Sequence, residues 1–191
     1  MNCHSAKVLT GFFNLCNWAY DSWRIHRILF CDNPRKMELE KSSAGEGLER
    51  MSIITQDYWL HQIVKLHDPA KTAGRFNLGI DYILHFGGWN EETLAKLQAL
   101  KHNLDDFAEK LKTARNKILS HNDLETMLNG SSHGTFAEGD DVKYFKSLQE
   151  FVNVVYDATV GGPNLFSEDA AKDAVIVSQF LANSLPSLKD K

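Results

Sequence analysis

The chain has 191 residues, a net charge of -4 at pH 7 and an ordinary apolar fraction of 43%, enough for one hydrophobic core. The acidic balance excludes a protein coated with basic surface for duplex DNA, so any nucleic acid has to be met by a local patch. No run approaches the roughly 18 consecutive apolar residues of a membrane span, and no membrane association is expected.

In chain order, the first predicted helix runs from about Ser5 to Phe30, with Phe12, Leu15, Ala19, Trp23, His26 and Phe30 on one face. Lys7 before the apolar stretch Val8 to Cys16 lacks the small-residue cleavage site of a signal peptide. Asp32-Asn33-Pro34 breaks the helix, and Lys36 to Gly47 reads as a polar connection holding a short helical piece. The next helix covers about Leu48 to Leu66, its inward set Met51, Ile54, Tyr58, Ile63 and Leu66. Pro69 and Gly74 punctuate the joint that follows, and a short helix from about Leu78 to Phe86 ends at Gly87-Gly88.

Asn90 followed by Glu91 and Glu92 signals the start of a long amphipathic helix. Its apolar stripe is Leu94, Leu97, Leu100, Leu104, Phe107, Leu111, Ala114 and Ile118. After it, Asn129 to Gly134 reads as a flexible loop. Helices resume from about Asp140 to Thr159, break at Gly161-Gly162-Pro163, and resume from Ser167 to Leu181. No alternating strand run and no internal repeat is present, so the expected fold is all-α, in a single domain over residues 1–191.

The run RNKILSHND, Arg115 to Asp123, carries the chemistry. Arg115 follows Leu111 by four residues and precedes Ile118 by three, which puts its charge on the edge of the apolar stripe. An unpaired charge there is costly, so it needs an acidic partner, a polar cleft or a subunit boundary. His121 lies six positions on, about 9 Å further along an ideal helix and about 120° round it. A long arginine and a ring that leans back toward the preceding turn can still line one cleft. Asn116 adds a polar group, and Lys110, Lys112 and Lys117, with Lys101 further back, make this helix end locally basic.

This run resembles the signature of the HEPN superfamily, an arginine followed by a polar residue and, after four to six intervening residues, a histidine. The upstream segment IVKLHDPAKTAGRFNLGI, with LHDP (Leu66 to Pro69) and the Asn77-Leu78 pair, is similar to the branch associated with AbiU-type abortive-infection proteins. The resemblance extends from the first long helix to about Phe151. It implies an antiparallel HEPN-like helical bundle with additional helices, a homodimer that brings two motif copies into one cleft, and in many members a metal-independent endoribonuclease. Carried over by residue, Arg115 binds the scissile phosphate, His121 is the acid-base or phosphate-positioning group, and Asn116 is the polar residue after the arginine. Lys110, Lys112 and Lys117 would bind RNA. The same resemblance leaves open a non-catalytic module that binds RNA, nucleotide or a protein partner, and an antitoxin or nucleotidyltransferase as that partner.

The chemistry stands without the family. RNA carries its own nucleophile, the 2′-hydroxyl, so cleavage needs a proton acceptor, a proton donor and stabilisation of charge on phosphorus. Histidine titrates near neutral pH, and arginine offers a planar fork to phosphate oxygens. One histidine per subunit is one short for a two-group mechanism, which favours a symmetric pair.

Other residues carry structural readings. Cys3, Cys16 and Cys31 are widely spaced without a C-x-x-C and fit a reducing cytoplasm. His61 and His67 beside Asp68 lack zinc-ligand spacing, and neither a metal nor a cofactor is expected. His67 and Asp68 are read as ending a helix ahead of Pro69. The tryptophans Trp18, Trp23, Trp59 and Trp89 are read mostly as core, and the acids Glu138, Asp140 and Asp141 as a solvated helix start.

Overall fold

In the computed structural model the described residues are 6–114 and 136–184, side chains excepted at 112–114. Seven helices are described: α1 Ala6–His26, α2 Lys36–Glu40, α3 Gly45–Leu66, α4 Ile80–Phe86, α5 Glu91–Ala114, α6 Asp140–Val160 and α7 Asp169–Ser184. A π-helical turn, Arg27–Cys31, continues α1. The fold is all-α, as the periodicity predicts. One small departure is a hairpin of two-residue strands, β1 Lys71–Thr72 and β2 Arg75–Phe76, with Lys71 opposite Phe76 and Thr72 opposite Arg75. Ala73 (φ 48°) and Gly74 (φ 82°) both take the left-handed conformation of a tight two-residue turn. Asn77 pins the hairpin by donating through Nδ2 to Pro69 O at 2.8 Å and to Thr72 Oγ1 at 3.0 Å. Strands this short leave no alternation for a sequence to display.

The backbone clusters into two compact units, one of residues 1–17 with 60–166 and one of residues 18–59 with 167–191. Helices α1 and α3 each contribute to both.

The larger unit holds the main core. Phe12 from α1, Leu60 and Ile63 from α3, Ile80 and Ile83 from α4, Leu97, Leu104 and Leu111 from α5, and Leu148, Phe151 and Val155 from α6 are all essentially inaccessible. Each such side chain contributes about 1.5–3 kcal/mol through burial. Phe12 and Phe151 meet edge to face at 6.0 Å. Of the predicted α5 stripe, Leu97, Leu104, Phe107 and Leu111 are buried and Leu94 and Leu100 half-buried, while the Ala114 side chain and Ile118 lie outside the described residues. Asn90 caps the helix, its Oδ1 accepting from Thr93 N at 2.8 Å. Helix α6 ends at Gly161 in the left-handed conformation (φ 81°), whose N–H donates to Tyr156 O at 3.2 Å.

The smaller unit corrects part of the inward face predicted for α3. Met51, Ile54 and Tyr58 are 51%, 66% and 43% exposed, whereas Trp59 is buried. Apolar residues occur all round α3, so the pattern does not single out one face, and few elements are available in this unit to cover it. Similarly Leu15 is exposed in α1, and Cys16 takes the buried place between Phe12 and Ala19. The break after the π turn is built on Asn33. Its Oδ1 accepts from Arg35 N at 2.9 Å and its Nδ2 donates to Leu29 O at 3.1 Å, turning the chain at Pro34.

Candidate functional site at the end of the motif helix

Helix α5 is described as far as Ala114, one residue short of Arg115. Arg115, Asn116, Lys117 and His121 lie outside the described residues, as does the segment read as the Asn129 to Gly134 loop, and of Lys112 only the backbone, within α5, is described. What the structure establishes is how α5 is held on its approach to them.

Two polar clusters hold it. The first lies beside Lys110, whose Nζ donates to Asp140 Oδ2 at 2.7 Å. Asp140 also accepts from the backbone N–H of Ala137 at 3.1 Å. Hydrogen bonding from Lys110, then from Ala137, holds the Asp140 carboxyl below its usual range. Behind the pair, α5 and α6 enclose a cleft of about 440 Å³. Its lysines, Lys110, Lys143 and Lys146, are matched by Asp106, Asp140 and Glu150. Of the predicted acidic start of α6, Asp140 and Asp141 occupy the first turn as expected, but Asp141 is buried rather than solvated.

The second cluster was not legible as a unit. His67, just past α3, reaches Asp105 on α5 through Nδ1 at 3.1 Å and Tyr144 on α6 through Nε2 at 3.1 Å. A carboxylate only accepts, so Nδ1 carries the proton, and Nε2 accepts from the tyrosine hydroxyl. Burial raises the Tyr144 hydroxyl well above its ordinary value and keeps it a donor. Lys101 donates to Asp105 one turn on and lies 3.3 Å from Asp81 of α4. Burial works against the Asp105 charge, but hydrogen bonds from His67 and Lys101 hold its carboxyl low. Burial likewise opposes the Lys101 charge, which its two aspartates hold up. His67, Asp81, Lys101 and Asp105 line a second cleft of about 440 Å³. Through them α5 is tied to α3, α4 and α6 within about two turns.

The helix-ending reading of LHDP holds for the backbone, since His67 N and Asp68 N close onto Val64 O and Lys65 O at 3.1 and 3.2 Å. The His67 side chain does something the sequence does not announce, because its partners stand 38 and 77 residues away. Among the described residues no three His, Cys, Asp or Glu side chains are grouped to hold a metal ion.

A family model for AbiU2 proteins of the HEPN group matches residues 8–177. The chain belongs to the HEPN AbiU2 family. The match covers the RNKILSH run, both clusters around α5 and most of α7, so it reaches further toward the C-terminus than the motif-bearing segments alone suggest. No curated protein and no solved structure matches the chain. In this AbiU2 member no described helix is long and apolar enough to cross a membrane.

Proposed function

We propose that this HEPN module is a metal-independent endoribonuclease, acting as a homodimer in abortive infection as a toxin or antiviral effector. The observation that carries the reading is the family match over residues 8–177 with the arginine–histidine run of Arg115 to His121 inside it. Arg115 forks onto the non-bridging oxygens of the scissile phosphate and takes up the charge that grows there. His121 moves the proton, either from the attacking 2′-oxygen or to the departing 5′-oxygen, and its copy in the second subunit serves the other step. Asn116 orients the phosphate, and Lys110, Lys112 and Lys117 guide the strand. Helix α5, which precedes the run in sequence, is tied down through Asp105 and Lys110.

The non-catalytic reading draws on one specific observation. Lys101 and Lys110, both members of the predicted basic patch, are engaged by Asp81, Asp105 and Asp140. Such neutralisation suits a protein partner, an antitoxin or a nucleotidyltransferase, better than a bare strand. Incubation of the purified protein with single-stranded RNA in excess EDTA separates the two: cleavage supports the nuclease, whereas intact RNA supports the binding module.

A further inference from the structure

His26 and Cys31 are five residues apart, a spacing that leaves two side chains about 140° apart round a regular α-helix. Here the intervening residues form the π-helical turn, closed by Asp32 N donating to Arg27 O at 2.7 Å. The wider turn brings the Cys31 sulfur to 3.5 Å from His26 Nε2. Single π turns of this kind recur at functional sites.

The direction of that contact follows from the other side of the ring. His26 Nδ1 lies 2.9 Å from Thr55 Oγ1 on α3. Thr55 has a single hydroxyl proton, and the carbonyls of Met51 and Ser52 stand at 2.9 and 3.0 Å to receive it. Toward His26 the threonine oxygen is therefore an acceptor, and Nδ1 carries the ring proton. That leaves the Nε2 lone pair aimed at the thiol. The ring is 5% exposed and lies beside Phe30 and Trp59, at 5.7 and 6.4 Å between centroids. Cys31 itself is exposed. The neighbouring charges, Arg27 and Asp32, pair with each other at 2.7 Å. A reachable thiol, a fixed base and a third group orienting the base make up an activated nucleophile.

We propose that Cys31, activated by His26 and oriented through Thr55, is a thiol–disulfide exchange site that takes small-molecule disulfides. The Cys31 S–H proton passes to Nε2, and the thiolate attacks one sulfur of the disulfide. A Cys31–S–S–R bond forms as the R–S–S–R bond breaks. The departing thiolate collects the proton from the imidazolium and leaves as R–SH. Cys31 is oxidised, half of the disulfide is reduced, and excess thiol reverses the step. Cys16 is an internal control, because it is fully buried and burial pushes its thiol up.

The test treats the whole protein with glutathione disulfide near neutral pH and follows each cysteine by peptide mass. Cys31 is expected to form the mixed disulfide about tenfold faster in the folded protein than in the urea-unfolded chain, with Cys16 unmodified in the fold. His26→Asn and Thr55→Val should bring Cys31 down to the unfolded rate, and Thr55→Ser should keep it fast. Folded Cys31 reacting no faster than unfolded Cys31 overturns the proposal, as does an unchanged rate in His26→Asn while Cys16 stays protected. Should a variant unfold, which loss of helicity reports, the wild-type comparison alone decides.

Discussion

His67 and Asp105 meet at 3.1 Å across 38 residues of chain, and the other ring nitrogen of His67 takes the hydroxyl of a fully buried tyrosine. One side chain thus couples the end of α3 to α5 and α6. Removing it by His67→Ala leaves the Tyr144 hydroxyl without its acceptor and Asp105 with fewer donors. An expected loss of about 1–3 kcal/mol follows, measurable by urea unfolding with the slope unchanged. Tyr144→Phe removes one bond and keeps the ring packing, so its loss should be smaller, about 1 kcal/mol. Equal and negligible effects from both variants would show that the contact carries no stability.

Acid sensitivity should follow Asp105. Its carboxyl titrates lower in the fold than in the unfolded chain. Across that interval the unfolded chain binds more protons, so stability rises with pH. The contribution is complete above the unfolded value of about 3.9 and is lost as pH falls through the folded one. Asp105→Asn should flatten the acid limb of the stability profile below about pH 4. A variant whose acid limb matches the wild type would remove Asp105 from the account.

Much of the framework was open to reading from spacing alone. The α5 stripe, the Asn90 cap and the breaks at Pro34, Gly87 and Gly161 are local, and each is set by residues within a turn of one another. The side-chain clusters were not. His67 finds Asp105 and Tyr144 only after three helices pack, and Thr55 orients His26 from a separate helix 29 residues on. The exposure of Met51, Ile54 and Tyr58 was likewise hidden, because an α3 apolar on several sides does not say which side is covered. For the candidate site, the sequence supplied the Arg115 and His121 pair, and the structure supplies the fastening of the helix that leads to it.

Lys110 offers a test of the strand-guiding patch. Its ammonium is shared with Asp140 at 2.7 Å, so Asp140→Asn should free it. Equilibrium binding of single-stranded RNA should then tighten, and the salt dependence should steepen by about 0.7 for one added phosphate contact. Lys110→Ala in the Asp140→Asn background should cancel both changes. Binding that is indifferent to both substitutions would take Lys110 out of the RNA path.

Packing between α5 and α6 supports the same end. Leu104 is fully buried on α5, and Leu104→Ala should cost about 2–5 kcal/mol, the usual range for a leucine cavity. Thermal unfolding followed by helicity reads this directly. A loss well under 1 kcal/mol would mean that the core collapses around the gap rather than resting on this side chain.

In the proposed reaction the Arg115 guanidinium and the His121 imidazole cut RNA without a metal. Cleavage of labelled single-stranded RNA in excess EDTA, by wild type and by Arg115→Ala and His121→Ala proteins of unchanged helicity, tests it most directly. The wild type should cut, and each variant should cut at least about 100-fold more slowly. Cutting that survives either substitution, or a wild type that binds RNA and leaves it whole, would contradict it.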